Sequence, residues 1–371
     1  MRVVHFSTIH KPFDVRIFHK ECRTLAAAGH EVHLLIPDPP VAERDGVHLH
    51  PLPLPRCSFR PKRIWRRLTR TFQLAWSLHG DVYHFHDPEL IPVGLRLKQR
   101  GALVVYDAHE DSPREALAFN RRNPVRGYSQ WAAWHCFEWA ARRCFDAFVA
   151  ATPFIADKFP AERTVCVHNY PCLDDFTSSP DWGQREHAVL YAGSITSIRG
   201  IREMIEAVHR VPQARLILIG EFAPADLLEE TRQQPGWNKV EYLGWQTRSE
   251  AIQHYQRARI GLAILHPTPI FVDSLPNKLF EYMAAGLAVV ASDFPSWRRI
   301  LENFRCGLVV DPLDPRSVAE AIDYLLSHPD EAAAMGRRGR EAALSHFNWD
   351  TEAKKLVKLY DQLSQPQRRA S

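Results

Sequence analysis

The sequence predicts an α/β protein built from two doubly wound parallel-sheet domains in tandem. Three observations carry the prediction. Short β-branched runs alternate with helical patterns over residues 3–168, the rhythm of a parallel sheet covered on both faces. That rhythm breaks at NYPCLDDFTSSPDWGQRE, residues 169–186, where two prolines and four acidic residues replace any apolar periodicity. It then restarts at residue 188, and 371 residues suffice for two domains that each bury a core.

Taken in order, strands are predicted at 3–6, 32–36, 82–85, 103–106, 147–150 and 165–168, with helices at 16–28, 89–99 and 130–143 between several of them. The second series of strands falls at 188–192, 216–219, 240–243, 260–265, 288–291 and 308–310. Three helices follow at 314–327, 330–346 and 350–364, and the tail QPQRRAS reads as disordered. The expected domains are 1–170 and 187–349, with a linker at 171–186 and a last segment at 350–371. Ligands of such sheets bind at the carboxyl ends of strands, and a cleft between two such domains is a natural place for a site.

Composition bounds the function. An apolar share of 45% and a charged share of 24% are those of a soluble globular protein, and a net charge of +4 does not suggest a nucleic-acid partner. The start, MRVVHFSTIH, reads as a first strand and not as a signal peptide, and no apolar run reaches the ~20 residues that span a bilayer, so a cytoplasmic location is expected. Seven scattered cysteines without a C-x-x-C pair are expected to be reduced and mostly buried, with neither zinc site nor disulfide framework.

Two stretches bear on chemistry. In FVDSLPNKLFEYMAAGLAVVASD, from Phe271, a helix begins near Pro276 or Asn277 just beyond a strand. Its unpaired N–H groups and positive dipole end suit a phosphate, and Lys278 adds a cation in the first turn, where only a bound anion relieves the conflict. The plainer alternative is a surface pair between Lys278 and Glu281. In YAGSITSIRG, from Tyr191, a strand ends at Gly193 and Arg199-Gly200 opens a helix, so a second cation stands at a helix start on the same sheet edge. The loop is not G-x-G-x-x-G, which argues against an oxidoreductase fingerprint.

HFSTIHKPFDVRIFHKECRTLAAAGHEV, FHDPEL, YDAHED, YAGSITSIRG, VEYLGW and LPNKLFEYMAAGLAVVASDFPSWR follow one another over nearly the whole chain. As a set they resemble the retaining, nucleotide-sugar-dependent glycosyltransferases of family 4, which have the GT-B fold. The resemblance implies two Rossmann-like domains facing a central cleft, with the donor on the second, the acceptor on the first, and a last helix crossing back to the N-terminal domain. The family's paired-acid motif falls on Asp273, where Glu is usual, and on Glu281, which would accept from the donor ribose. The backbone N–H groups of Ser274, Leu275 and Asn277 would face the donor sugar and diphosphate. Of the family's two diphosphate cations in the loop from Gly193, one position is Ser194 here and the other is Arg199, with Lys278 the replacement for the lost charge. His109 matches the active-site histidine near the donor sugar. Lys11 or Arg16 would do part of the phosphate work of the first loop, the alternative for Arg16 being a local cap or salt bridge.

The resemblance implies no metal and no cofactor beyond the donor substrate; a cluster of Glu110, Asp111, His86 and Asp87 is not read as a metal site. It further implies that the leaving phosphate takes the acceptor proton in a front-face substitution. RCSFRPKRIWRRLTRTFQLAW, residues 56–76, carries seven cations and no acid among aromatic residues, and it reads as a contact with an anionic membrane through Arg60, Arg63, Arg66 and Arg67. The aromatic run YSQWAAWHCFEWAARR, residues 128–143, reads instead as a core helix. The expected reaction moves a sugar to a saccharide, lipid-linked, at the inner face of the membrane in cell-surface polysaccharide assembly. The alternatives are another GT-B activity, such as an epimerase or a sugar-phosphate synthase, and a catalytically silent nucleotide-binding partner of another transferase.

Overall fold

The computed structural model of the chain describes residues 1–53, 60–119, 123–177 and 181–365. Part of the expected linker, the last six residues of the tail and the side chain of Arg60 lie outside the described residues. Two compact units emerge, Met1–Asn169 with Asp350–Ser371, and Tyr170–Trp349.

The N-terminal unit runs β1 (Arg2–Phe6), α1 (Arg23–Ala27), β2 (Glu31–Ile36), β3 (Glu43–Arg44), β4 (Val47–Pro51), α2 (Arg60–Ser77), β5 (Val82–Phe85), α3 (Ile91–Gln99), β6 (Leu103–Ala108), α4 (Ser112–Phe119), α5 (Pro124–Cys144), β7 (Ala147–Ala150), α6 (Pro153–Ala156) and β8 (Thr164–Cys166). Its sheet has the order β3-β4-β2-β1-β5-β6-β7-β8, parallel throughout except for β3. Strands β3 and β4 are additions to the predicted set. VHLHP interleaves just two apolar residues with histidines and ends on a proline, so it lacks the apolar run that marks the other strands. The helix expected at 16–28 begins as a π-helical run, Val15–Cys22, whose wider turn brings Arg16, Lys20 and Glu21 inside together. Asp14 caps it by accepting from the N–H groups of Arg16 and Ile17.

The second unit continues with β9 (Ala188–Ala192), α7 (Ile201–Arg210), β10 (Arg215–Ile219), α8 (Leu227–Arg232), β11 (Val240–Gly244), α9 (Arg248–Arg257), β12 (Ile260–Ala263), α10 (Asn277–Ala284), β13 (Ala288–Ser292), α11 (Pro295–Phe304), β14 (Gly307–Val310), α12 (Pro315–Ser327) and α13 (Pro329–Ser345). Its six strands are all parallel in the order β11-β10-β9-β12-β13-β14, so the winding reverses between β9 and β12. Buried apolar residues fill both faces of this sheet. The segment read as a linker joins this packing. Phe176 is buried, and Arg185 donates from its guanidinium to the carbonyls of Tyr255, Ala258 and Ala285.

The last helix, α14 (Trp349–Ser364), packs within the N-terminal unit. Glu352 accepts from the backbone N–H of His168 at 2.9 Å, and the Tyr360 hydroxyl lies 2.8 Å from His84 Nδ1. Among the described residues no helix is long and apolar enough to cross a membrane. The cysteines are less buried than expected: Cys22 and Cys306 are inside, whereas Cys136 and Cys144 are exposed on α5. Helix α5 itself corrects the core reading, because most of its aromatic side chains face outward.

Candidate active site

In the second unit the reversal of winding places the carboxyl ends of β9 and β12 side by side, where a doubly wound sheet binds its ligand. Two glycines shape the loop that leaves β9. A Cβ on Gly220 would stand 1.9 Å from the carbonyl oxygen of Gly193, and one on Gly200 would stand 2.5 Å from that of Ile264. Both residues have positive φ, so the close approach and the turn each call for glycine. Gly193 lies open beside Lys278, whose Nζ would be 3.3 Å from a Cβ built there.

Lys278 is the most unusual residue of this edge. It follows Pro276, the N-cap, by two positions in the first turn of α10, and its side chain is buried. Its Nζ has no hydrogen-bond partner and sits 3.5 Å from the centroid of the Tyr191 ring. Burial pushes the ammonium well below its ordinary range, and Arg199 pushes the same way, against a smaller pull from Glu281. A second cation, Arg199, ends the turn Ser197–Arg199, with its guanidinium 5.8 Å from the Phe271 ring centroid. The surface pairing of Lys278 with Glu281 is thereby excluded.

Glu281, one turn further along α10, is held from two sides. One oxygen accepts from Arg248 Nη1, the other from the Tyr255 hydroxyl at 2.8 Å, and Arg248 also binds Asp175. Arg248 and Tyr255 went unnoticed in the sequence. Both lie on α9, and the capping box of Thr247 and Glu250 is the one local signal that fixes where Arg248 starts the helix.

Asp273 is exposed in the loop before α10. Ser274 departs from its expected part: its N–H is used by the carbonyl of Phe271 at 3.0 Å, and its own carbonyl accepts from Trp297 Nε1. The N–H groups of Asn277 and Lys278 at the start of α10 have no acceptor within the helix, whereas that of Leu279 donates to the Pro276 carbonyl at 3.1 Å. Leu275 is partly buried just before them. Ser194 is exposed, and its carbonyl accepts from the Tyr191 hydroxyl.

The N-terminal unit gathers a second group of functional types, also at the reversal of its sheet, between β1 and β5. Asp107, fully buried at the end of β6, accepts from Arg16 Nε at 2.9 Å and Nη2 at 2.7 Å, from His86 at 3.0 Å and from His109 at 3.3 Å. Burial alone would raise this carboxyl, but the Arg16 guanidinium and the histidine donors hold it well below the usual carboxylate range. The tautomers follow in order. With Nδ1–H given to Asp107, neutral His86 accepts at Nε2 from His5 Nδ1, 3.0 Å away.

Arg16 is thus buried in an internal network and is not offered to a phosphate, which favours the salt-bridge reading over the phosphate one. Lys11 is exposed on the first loop. Glu21, His84, His86 and Asp107 have donor atoms within 4.8 Å of one another, a grouping that could hold a cation. Arg16 already touches both carboxylates, with Glu21 at 3.1 Å and Asp107 at 2.7 Å, and supplies positive charge there. Burial first, and the neighbouring Asp107 charge second, push the Glu21 carboxyl well above its usual range.

Comparison with known proteins decides the family. The description "Glycosyl transferase 4-like domain" matches residues 15–169, and "Glycosyl transferases group 1" matches residues 186–328. The chain belongs to the GT-B glycosyltransferases of family 4. Among relatives of this family 4 chain, the alpha-maltose-1-phosphate synthase of Mycolicibacterium smegmatis is 29% identical over 202 residues, 47% of this chain and 48% of the synthase. The match therefore spans about half of that relative's length. Solved structures agree on the fold across 98% of the chain. A sucrose-phosphate synthase from Thermosynechococcus elongatus superimposes with a TM-score of 0.80 at 20% identity, over 98% of that chain. Anabaena HepE in complex with UDP-glucose does so with a TM-score of 0.77 at 15% identity, over 100% of that chain.

Proposed function

We propose that this family 4 protein moves a sugar, with retention of configuration, from a nucleoside-diphosphate sugar to a hydroxyl of a lipid-linked saccharide. The work is done at the cytoplasmic face of a membrane, in the assembly of a cell-surface polysaccharide or glycoconjugate. The observation that carries the reading is Lys278, a buried ammonium without a hydrogen-bond partner, set at a helix start and close to a second cation. Such a group is costly in the empty protein and is satisfied by an anion. A diphosphate supplies two phosphates, one for each of Lys278 and Arg199. The relative that binds UDP-glucose supports a nucleotide sugar as that anion.

The chemistry follows from charge. As the bond from the anomeric carbon to the leaving oxygen breaks, negative charge grows on the diphosphate and positive charge on the sugar. Fixed cations and N–H groups beside the diphosphate lower that barrier, a single donor being worth about 2.7–4 kcal/mol. Arg199, Lys278 and the start of α10 at Asn277 fill this role, with Gly193 and Ser194 along the same loop. Glu281, fixed by Arg248 and Tyr255, accepts from the ribose hydroxyls. Asp273 and the Leu275 N–H serve the sugar. The acceptor oxygen bonds to the anomeric carbon on the face the diphosphate leaves, and its proton passes to the departing phosphate oxygen. His109, oriented by Asp107, hydrogen-bonds substrate in the N-terminal unit. Two cations make a metal unnecessary, so activity is expected to persist in EDTA.

A thermal-shift screen of UDP-, GDP- and ADP-sugars tests the reading. One class is expected to raise the melting temperature of the native chain. Glu281→Ala should weaken that shift and abolish transfer, and the anomeric protons of the product should keep the donor's configuration by NMR. A chain that no nucleotide sugar stabilises does not have this function.

A further inference from the structure

We infer that α5 and α2 together form a surface that seats the N-terminal unit on an anionic lipid bilayer, with the aromatic face of α5 entering the headgroup region. The inference deepens the lipid-linked acceptor reading and rests on it for its purpose. Its physical basis is separate.

Val125, Tyr128, Trp131, His135 and Trp139 succeed one another at intervals of three or four residues, which puts them on a single face of α5. That face is open: Val125 is 81% exposed, Tyr128 64% and Trp139 57%. An adjoining side holds the helix to the unit, through buried Gly127, Glu138 and Ala141. On α2, Ile64 and Trp65 are likewise exposed, while Phe72 and Ala75 turn into the core. Among the described residues, three of the four tryptophans among the exposed large hydrophobics, Trp65, Trp131 and Trp139, lie on these two helices. Both helices pack against α3, so they border the same layer of the unit. A soluble monomer gains nothing from such a concentration of exposed rings.

Charge selects the occupant. Helix α2 exposes Lys62, Arg66 and Arg70 and has no acidic residue. Arg67, expected to touch the membrane, is instead paired with Glu89, which leaves the outward cations to the neighbouring positions. On α5, Arg126 and Arg143 are exposed, and the Arg143 guanidinium lies 3.7 Å from the centroid of the Trp139 ring. The sole carboxylate of α5, Glu138, is buried, its carboxyl raised by burial, and it bonds Arg142. Amphipathic rings flanked by cations, with no exposed carboxylate on either helix, match the interface of an anionic bilayer. A second copy of the chain would meet the same positive face and be repelled by it.

Sedimentation with acceptor-free vesicles tests the surface independently of the transfer reaction. The native chain is expected to partition onto phosphatidylcholine vesicles containing phosphatidylglycerol, and far less onto phosphatidylcholine alone. Trp131→Ser with Trp139→Ser should lower that partition by tenfold or more, while the donor-induced thermal shift stays as in the native chain. That shift also reports that the variant is folded. Quenching of the native chain's tryptophans by brominated lipid is the second measurement and needs no variant. Equal partition of native and variant chains, or no quenching, would overturn the inference. So would a concentration-dependent dimer that the paired substitution abolishes, since the face would then belong to a second copy.

Discussion

Lys278 shows how a residue can be unfavourable for the fold and necessary for the site. Its ammonium is buried without a hydrogen-bond partner, so replacing it with an apolar side chain of similar length removes a penalty. Lys278→Met is expected to raise the stability of the empty protein by about 1–3 kcal/mol, the usual cost of an unsatisfied buried polar group. The pH dependence has a definite sign. Because the folded protein holds this ammonium below its ordinary range, the penalty is full below the folded-state value and fades as pH rises toward ~10.4, the unfolded lysine's own. Urea denaturation should therefore show the variant's advantage shrinking between pH 7 and pH 10. The sequence exposed this residue as a cation in the wrong turn of a helix. It did not expose Tyr191 beneath it or Arg248 beside Glu281, because both partnerships join segments far apart in the chain. The choice between the two readings of Arg16 was hidden for a related reason: the π-helical turn brings it inside, against Asp107.

Elements carried more of the information than their contacts did. The strands of the second unit were legible because each is a short, largely apolar run closed by a turn, and helices α12 and α13 because Asp314, Pro315 and Pro329 mark their starts. Helix α5 was legible as a helix but not as a surface. Aromatic residues at helical spacing look the same whether a sheet or a bilayer covers them, and only exposure separates the two cases. β4 was lost because VHLHP interleaves its two apolar residues with histidines. The loop between β9 and α7 depends on backbones that touch, so Gly200 within it and Gly220, which follows β10 and meets Gly193, are predicted to be intolerant of even one methyl group. Gly220→Ala, with its Cβ 1.9 Å from the Gly193 carbonyl oxygen, should force the loop aside. Such overpacking costs about 1–3 kcal/mol, and it should also remove the donor-induced thermal shift, which differential scanning fluorimetry reads directly. Gly183 has nothing within 4 Å of its would-be Cβ, so Gly183→Ala should leave both values as they are.

At the scale of the whole molecule, two sheets place chemistry-bearing residues at their points of reversed winding, and the second of these sites is claimed for a nucleotide sugar. The doubly wound fold was readable from the alternation of strand and helix, and the family from motifs spread along nearly the whole chain. The return of α14 to the N-terminal unit was expected from the resemblance alone, since nothing in its sixteen residues says which unit they pack on. The central claim is that a diphosphate completes Lys278. Isothermal titration of UDP-glucose, GDP-mannose and ADP-glucose into the native chain, with EDTA, at pH 8 in two buffers of different ionisation enthalpy, tests it most directly. The account predicts that one donor binds with net uptake of up to one proton, so that affinity falls as pH rises, and that Lys278→Met loses both the uptake and at least a hundredfold in affinity. Binding of the same strength and proton count in Lys278→Met, or no binding of any donor to the native chain, would contradict it.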